Sequence, residues 1–215
     1  MRFSKRLKDR IDLISIDLPS RARAVDGMKL AFANIAALPF SDKSFDLVIC
    51  CEVFEHLSEA NFERGIRELQ RVARRYLLIS VPYRQRVWNE MFRCARCGFT
   101  GNAMQHLRYF DEAKLRLLFP KATVRHEERI ASLGGYAPDW LYRIANVIGN
   151  AWQKYTYDTC PGCRGPAVPC RPNFVGEALL RIIWRLEGVA PRRAAWLLTL
   201  FEIGAPSDGP LSATR

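Results

Sequence analysis

Seven cysteines stand in this chain, and four of them form two pairs of the type Cys-x-x-Cys: Cys94-Ala-Arg-Cys97, followed by Gly98, and Cys160-Pro-Gly-Cys163. Thiolates at i and i+3 grip one ion, and a glycine beside or within the pair permits the turn. Two such knuckles complete a tetrahedral zinc site with four sulfur ligands. An odd number of cysteines arranged in this way speaks for a reducing compartment and a metal before it speaks for disulfides, so a cytoplasmic location is expected. Positions 98 to 159, 62 residues, separate the pairs, more than an ordinary zinc ribbon holds. The site would therefore join two cysteine-containing insertions, 84–110 and 156–172. A redox or vestigial pair and a set of unpaired buried thiols are the other readings. Cys170 and His106 are alternates in the ligand set, while Cys50 and Cys51 read as core.

A second group follows the apolar run Phe45 to Cys51: Glu52, Glu55 and His56. A Glu and a His can orient a substrate or take a proton, and a structural hydrogen bond would also explain a His at that place. Asp17 closes another apolar run, Ile11 to Ile16. An acid at the carboxyl end of a strand in a nucleotide-binding sheet can accept both ribose hydroxyls of an adenosine, the alternative being a plain turn residue.

These groups need elements to hold them. Ile11 to Ile16, Lys29 to Phe32, Phe45 to Cys51 and Tyr76 to Val81 read as strands, with Phe45 to Cys51 apolar enough to be covered on both faces. Asn34 to Phe40 is a loop. Ser58 can cap a helix from Glu59 to about Arg74 whose inward face carries Phe62, Ile66, Leu69 and Val72 or Ala73. Asp111 starts a short helix through Phe119 with Leu115 and Leu118 facing in, and Pro120 ends it. Ala122 to Ile130 is extended, Trp140 to Trp152 helical, Val175 to Glu187 an amphipathic helix, and Ala194 to Glu202 a last strand. Val175 to Glu187 could cover the sheet, seat on a membrane or meet a partner, and core packing suffices to explain it. Strands alternating with helices predict an α/β fold, a Rossmann-like, mostly parallel sheet with crossover helices. Ligands in such a sheet lie at the carboxyl ends of the strands, where Asp17, Asn34 to Phe40, Cys51 to His56 and Pro82 to Arg86 fall.

The run Asn34 to Leu57 (NIAALPFSDKSFDLVICCEVFEHL), the helix after it and Leu69 to Tyr83 (LQRVARRYLLISVPY) resemble the middle of a class I methyltransferase that uses S-adenosylmethionine, in the broad subgroup (methyltransferase type 11-like) where LPF, FDLV and EHL recur together. The resemblance covers about residues 10 to 130, and Ala194 to Glu202 is similar to the family's reversed final strand. It implies that Asp17 holds the cofactor ribose, that Asn34 and Ile35 lie beside the adenine, and that Cys51 and Glu52 lie where the methionine portion and the acceptor meet. An acid is usual in the family where Asn34 stands. Glu55, His56 and Tyr83 are the candidate acid-base residues, with His106 beside them. The family opens with a strand and a glycine-rich turn, whereas here the first glycine is Gly27. The expectation is an amino-terminally incomplete core, completed by missing sequence or by a partner chain, or else a chain that has lost catalysis. Similar methyltransferases carry a cysteine pair just after the SVPY segment, followed by a His and an aromatic, as at Gln105 to Phe110.

The chain has 215 residues with 33 Lys and Arg against 22 Asp and Glu, a net charge of +11. That size suits a single methyltransferase-like domain spanning 1–215, and the composition excludes a coiled coil, a collagen-like repeat and a long disordered tail. No apolar run reaches the ~18 residues of a membrane span, and Asp9, Asp12 and Asp17 interrupt any signal segment. The positive charge favours an acidic partner such as nucleic acid without choosing one. The function read from the sequence is methyl transfer from S-adenosylmethionine to an unidentified acceptor. The alternative is a non-catalytic, methyltransferase-like zinc-containing module that binds nucleic acid or a protein.

Overall fold

The computed structural model describes residues 11–18, 29–154 and 158–203. The cations at positions 2 to 10 and at Arg21 and Arg23 lie outside these residues. The apolar runs become strands β1 (Ile14–Asp17), β2 (Lys29–Phe32), β3 (Phe45–Cys51) and β4 (Ala73–Pro82). Two three-residue strands follow, β5 (Met91–Arg93) and β6 (Thr100–Asn102), then β7 (Thr123–Leu133) and β8 (Arg193–Glu202). The helices are α1 (Glu59–Val72), α2 (Glu112–Leu117), α3 (Asp139–Val147) and α4 (Phe174–Val189), with a 3-10 turn at Phe54–His56. The fold is α/β with a mixed four-stranded sheet in the order β3-β4-β8-β7 and, apart from it, the parallel pair β1-β2. The chain divides into two compact units: Met1–Val48, Glu59–Leu77 and Ile203–Arg215 in one, Ile49–Ser58 and Leu78–Glu202 in the other.

In the first unit α1 buries Phe62, Gly65, Leu69 and Val72, the face its spacing predicts, and Ile66 is half-buried beside them. Gly65 packs on Ile35: a Cβ there would meet Ile35 Cγ1 at 3.4 Å, an ordinary van der Waals contact. The loop after β2 is tied to α1 by Arg71, which donates to Phe40 O (2.7 Å), Leu38 O (3.0 Å), Asp42 Oδ1 (2.8 Å) and Glu68 Oε1 (2.7 Å). Glu68 Oε2 in turn accepts the Leu38 N–H at 2.7 Å. The Arg71 hydrogen bond holds the Glu68 carboxyl well below its usual range, at about 2.

In the second unit β7 and β8 run antiparallel from Thr123 opposite Glu202 to Leu133 opposite Arg193, with an irregularity between Val124 and His126. Tyr83 N–H donates to Ala195 O, so the end of β4 meets the start of β8 and the last strand is reversed. Glu52 N–H donates to Ser80 O, so β3 and β4 finish side by side. Phe54, Phe119 and Phe201 form a fully buried aromatic column with centroid separations of 6.4 and 4.9 Å. Asp111 caps α2 by accepting the Lys114 N–H at 2.9 Å.

The sheet is mixed, with β8 opposing both β7 and β4, as the likeness of Ala194 to Glu202 to a reversed final strand implies. Three expectations need correction. Strand β3 is not covered on both faces: Leu47 and Ile49 are 44% and 42% exposed and Cys51 is exposed with them, the alternate residues of one face. The helix expected over Trp140 to Trp152 stops at Val147, and the next residues turn to bring the Gly149 backbone against Gly176 in α4. A Cβ on Gly176 would lie 2.0 Å from Gly149 O, a contact only glycine permits. Helix α4 packs Gly176 and Ile183 inward but leaves Phe174, Trp184 and Val189 84%, 75% and 83% exposed. The β5–β6 hairpin was not foreseen, its strands being too short to carry a periodic signal.

Candidate active site and thiol cluster

Strand β3 delivers its last residue at Cys51, and the chain then bends sharply: Glu52 has φ +55. Its side chain is spent on neighbouring strands, with Oε1 accepting from Ser80 Oγ at 2.9 Å and Oε2 from Trp196 Nε1 at 2.8 Å. The 3-10 turn that follows drops Glu55 into the interior at 0% exposure. The loop after β6 is stitched to this turn. Leu107 N–H donates to Glu55 O at 2.7 Å, and Arg108 Nη1 donates to Phe54 O (2.9 Å) and Leu57 O (2.5 Å).

That stitching brings buried His106 against His56, their rings 4.7 Å apart and edge to face, while His56 Nε2 lies 4.0 Å from Glu55 Oε1. Gln85, from the loop after β4, fixes the His106 ring. Its Nε2 donates to Glu90 Oε2 at 2.6 Å, which turns Oε1 toward His106 Nδ1. An amide oxygen only accepts, so His106 carries its proton on Nδ1 and its lone pair on Nε2. Left-handed backbone at Glu52, Arg84 (φ +47) and Gln105 (φ +61) places one costly residue, on the order of 1–3 kcal/mol each, in each of the three contributing loops.

Among the described residues neither Glu55 carboxyl oxygen has a hydrogen-bond partner. Burial, with the nearby Glu52 charge, pushes its carboxyl up to about 8, so near neutral pH it is mostly protonated. Burial, then the neighbouring His56, pushes His106 down to about 4 and keeps that ring neutral. A carboxyl and two imidazoles in this arrangement can pass a proton. Their ligand atoms lie within 4.8 Å of one another, so the same three groups could also hold a divalent cation.

The other nominated residues have separate surroundings. Tyr83 donates its hydroxyl to Glu112 Oε1 at 2.9 Å, under the guanidinium groups of Arg84 and Arg129. Burial, then Glu112, raises its pKa. In the first unit, half-buried Asp17 ends β1 with Oδ1 accepting the Leu18 N–H at 2.7 Å. Asn34 is exposed and spends Oδ1 on the Ala36 N–H at 2.9 Å, while Ile35 packs on α1. Cys50 is buried as expected, but Cys51, expected beside it in the core, is exposed. Gln85 was missed, because a glutamine in a loop carries no signal until its partner is known.

The β5–β6 hairpin holds the first Cys-x-x-Cys pair. Gly98 turns the chain at φ +76 so that its N–H donates to Cys94 O at 2.8 Å. Cys160 N–H bonds Gly165 O at 2.8 Å and Arg164 N–H bonds Cys160 O at 2.9 Å, the corresponding turn in the second pair. Cys94, Cys97, Cys160 and Cys163 converge with all four sulfurs within 4.8 Å, and Cys97 Sγ lies 3.7 Å from Cys160 Sγ. Ligands at about 2.3 Å from a tetrahedral zinc stand about 3.8 Å apart, so that spacing fits a thiolate cage, whereas a disulfide needs about 2.05 Å. Backbone N–H of Val168, and then of Cys97 and Arg96, holds the Cys94 thiol at about 6, whereas, against the Phe99 N–H, burial and the neighbouring thiols push Cys97 up to about 11, the pattern of sulfurs crowded together. Neither alternate ligand joins the cage. Cys170 points to Arg93 O at 3.5 Å, and His106 belongs to the Glu55 cluster.

Among solved structures the chain is similar to the complex between the Haloferax volcanii Trm112 methyltransferase activator and a methyltransferase, at 16% identity and TM-score 0.49, covering 94% of this chain and 77% of that one. A SAM-dependent methyltransferase from Methanosarcina mazei aligns at 12% identity and TM-score 0.46 over 93% and 85% of the two chains. An S-adenosylmethionine dependent methyltransferase from Mesorhizobium loti aligns at 12% and 0.43 over 88% and 79%. These are distant likenesses. No curated protein sequence matches the chain. Residues 6–79, the segment with the LPF, FDLV and EHL blocks, match the family described as a methyltransferase domain, and the family resemblance drawn from those blocks is borne out there.

Proposed function

We propose that this chain transfers a methyl group from S-adenosylmethionine to an O–H or N–H acceptor, with the Glu55, His56 and His106 cluster taking the acceptor's proton. The observation that carries this reading is the fully buried Glu55 carboxyl, without a donor, set against two imidazoles after the carboxyl end of β3. The cofactor supplies an already activated methyl on its sulfonium, so the protein need only align the acceptor and accept a proton. The acceptor's proton would pass to a neutral imidazole of the cluster, or to Glu55 in the fraction of chains whose carboxyl is ionised. Asp17 would hold the ribose hydroxyls, Asn34 and Ile35 would border the adenine, and Cys51 and the Glu52 backbone would border the methionine portion. Glu52 uses its side chain to hold the bend rather than to touch substrate. The segments 84–110 and 156–172 read as insertions whose four thiolates bind one structural zinc within a methyltransferase-like chain.

The test is transfer of tritium from methyl-labelled S-adenosylmethionine into a small-molecule cell extract, with wild type compared against Glu55→Gln and His106→Ala. Wild type incorporates label, and each variant loses at least about a hundredfold while still binding S-adenosylhomocysteine. Undiminished labelling by both variants would remove the cluster from the reaction, and no labelling by wild type would remove the enzyme reading.

A further inference from the structure

Helix α4 is apolar on more of its circumference than it buries. Ile183 and Gly176 face inward, with Leu179 and Leu180 packed beside them, and Glu187 is turned in to accept the Tyr142 hydroxyl. The outward arc carries Phe174, Ile182 and Val189, at 84%, 46% and 83% exposure, with Trp184 at its border. Exposed Arg181 and Arg185 sit inside this arc, about two and three turns from Phe174 along the same face, and Glu177 is the arc's one acid. Among the described residues no carboxylate lies within ion-pair distance of either arginine. Exposed Arg171 and Arg192 flank the two ends of the helix. At 16 residues α4 is about 24 Å long, short of the ~30 Å hydrocarbon core, and no helix among the described residues is long and apolar enough to cross a membrane.

We infer that α4 docks in the plane of an anionic bilayer surface, with Phe174, Ile182 and Val189 entering the acyl boundary and Arg181 and Arg185 meeting lipid phosphates. A helix with aromatic and aliphatic side chains on one arc, and arginines whose stems run along it, has the composition of an interfacial helix. Charge decides between this occupant and a second copy of the chain. A two-fold contact through α4 would set Arg181 and Arg185 of both copies against each other, with only Glu177 to answer them, whereas an anionic surface answers every cation. The net charge of +11 adds attraction at longer range.

The experiment is co-sedimentation of the full chain with vesicles of equal phosphatidylglycerol and phosphatidylcholine, and with phosphatidylcholine alone, while tryptophan fluorescence is followed in the chain and in a Trp184→Phe variant, whose difference reports Trp184 among the five tryptophans. Binding to the anionic vesicles with a blue shift is expected, with far weaker binding to the neutral ones. Arg181→Gln with Arg185→Gln should weaken partitioning by about thirtyfold, taking roughly fivefold per arginine. Phe174→Ser with Val189→Ser should abolish it; both residues are exposed, and an unchanged thermal melt establishes that the fold is kept. Equal binding to neutral and anionic vesicles, or none to either, overturns the inference. So does a dimer in light scattering that the Phe174 and Val189 changes dissolve while vesicle binding persists.

Discussion

Replacing Cys97 by serine separates a metal cage from four nearby thiols. Cys97 is exposed, so without a metal the change should alter stability by no more than about 0.5 kcal/mol. With zinc bound, one of four ligands to a site worth about 10–16 kcal/mol is lost, on the order of 3–4 kcal/mol. The loss is transmitted inward because Cys94 and Cys160 belong to the buried cluster with Phe92 and Ala103. At roughly 2–4 °C per kcal/mol for a chain of this size, Cys97→Ser should melt about 6–16 °C below wild type. Zinc content should fall from one ion per chain to a small fraction, and a chelator should lower the wild-type melting temperature toward that of the variant. Circular dichroism melts with and without chelator, beside a colorimetric zinc assay, read both quantities. Cys170→Ser is the control, since its thiol lies outside the cage, and it should keep its zinc. Equal zinc content and equal melting temperature in Cys97→Ser and wild type would refute the cage.

Further predictions concern the buried groups. Glu55 has a folded pKa of about 8, above the 4.5 of the free side chain, so the unfolded chain binds fewer protons between those values and wild-type stability falls as pH rises through that window. Glu55→Gln removes this penalty and should be more stable than wild type at pH 8 by about 2–4 kcal/mol in urea titrations, with no difference below pH 4. His106, held down at about 4, works the other way: its contribution is present above pH 6.5 and disappears as pH falls to 4. The wild-type minus His106→Gln difference should shrink by about 2–3 kcal/mol across that range. Phe119→Ala empties the middle of the Phe54–Phe119–Phe201 column and should cost about 3–5 kcal/mol by the same titration. Arg71→Met frees the loop 38–43 from α1, and amide exchange at Leu38, whose N–H bonds the Glu68 carboxylate that Arg71 holds, should accelerate more than tenfold.

The strands and helices of this chain are legible because each repeats an apolar period over several residues, as FDLVICC and the Phe62, Leu69, Val72 face do. What period cannot carry is position in the sheet. The run Phe45 to Cys51 is as apolar as a central strand, yet β3 lies at an end of the order, and one of its faces, with Leu47 and Ile49, stays exposed. The two Cys-x-x-Cys pairs announce themselves by spacing even across 62 residues, because a pair is already half a ligand set. His106 stands among the candidates by residue type, but its place beside Glu55 is set by backbone bonds such as Leu107 N–H to Glu55 O, and Gln85, which holds its ring, carries no signal of its own. The outward arc of α4 shows the same limit from the other side: a helix apolar around most of its girth looks like core until the structure shows which face is uncovered.

The most direct test of the methyltransferase reading is calorimetric titration of the zinc-loaded 215-residue chain with S-adenosylhomocysteine, beside an Asp17→Ala variant of equal thermal stability. One saturable site per chain is predicted for wild type, with affinity at least about tenfold weaker in the variant, which lacks the carboxylate proposed to accept the ribose hydroxyls. Absence of binding heat in a folded, zinc-loaded sample would contradict it.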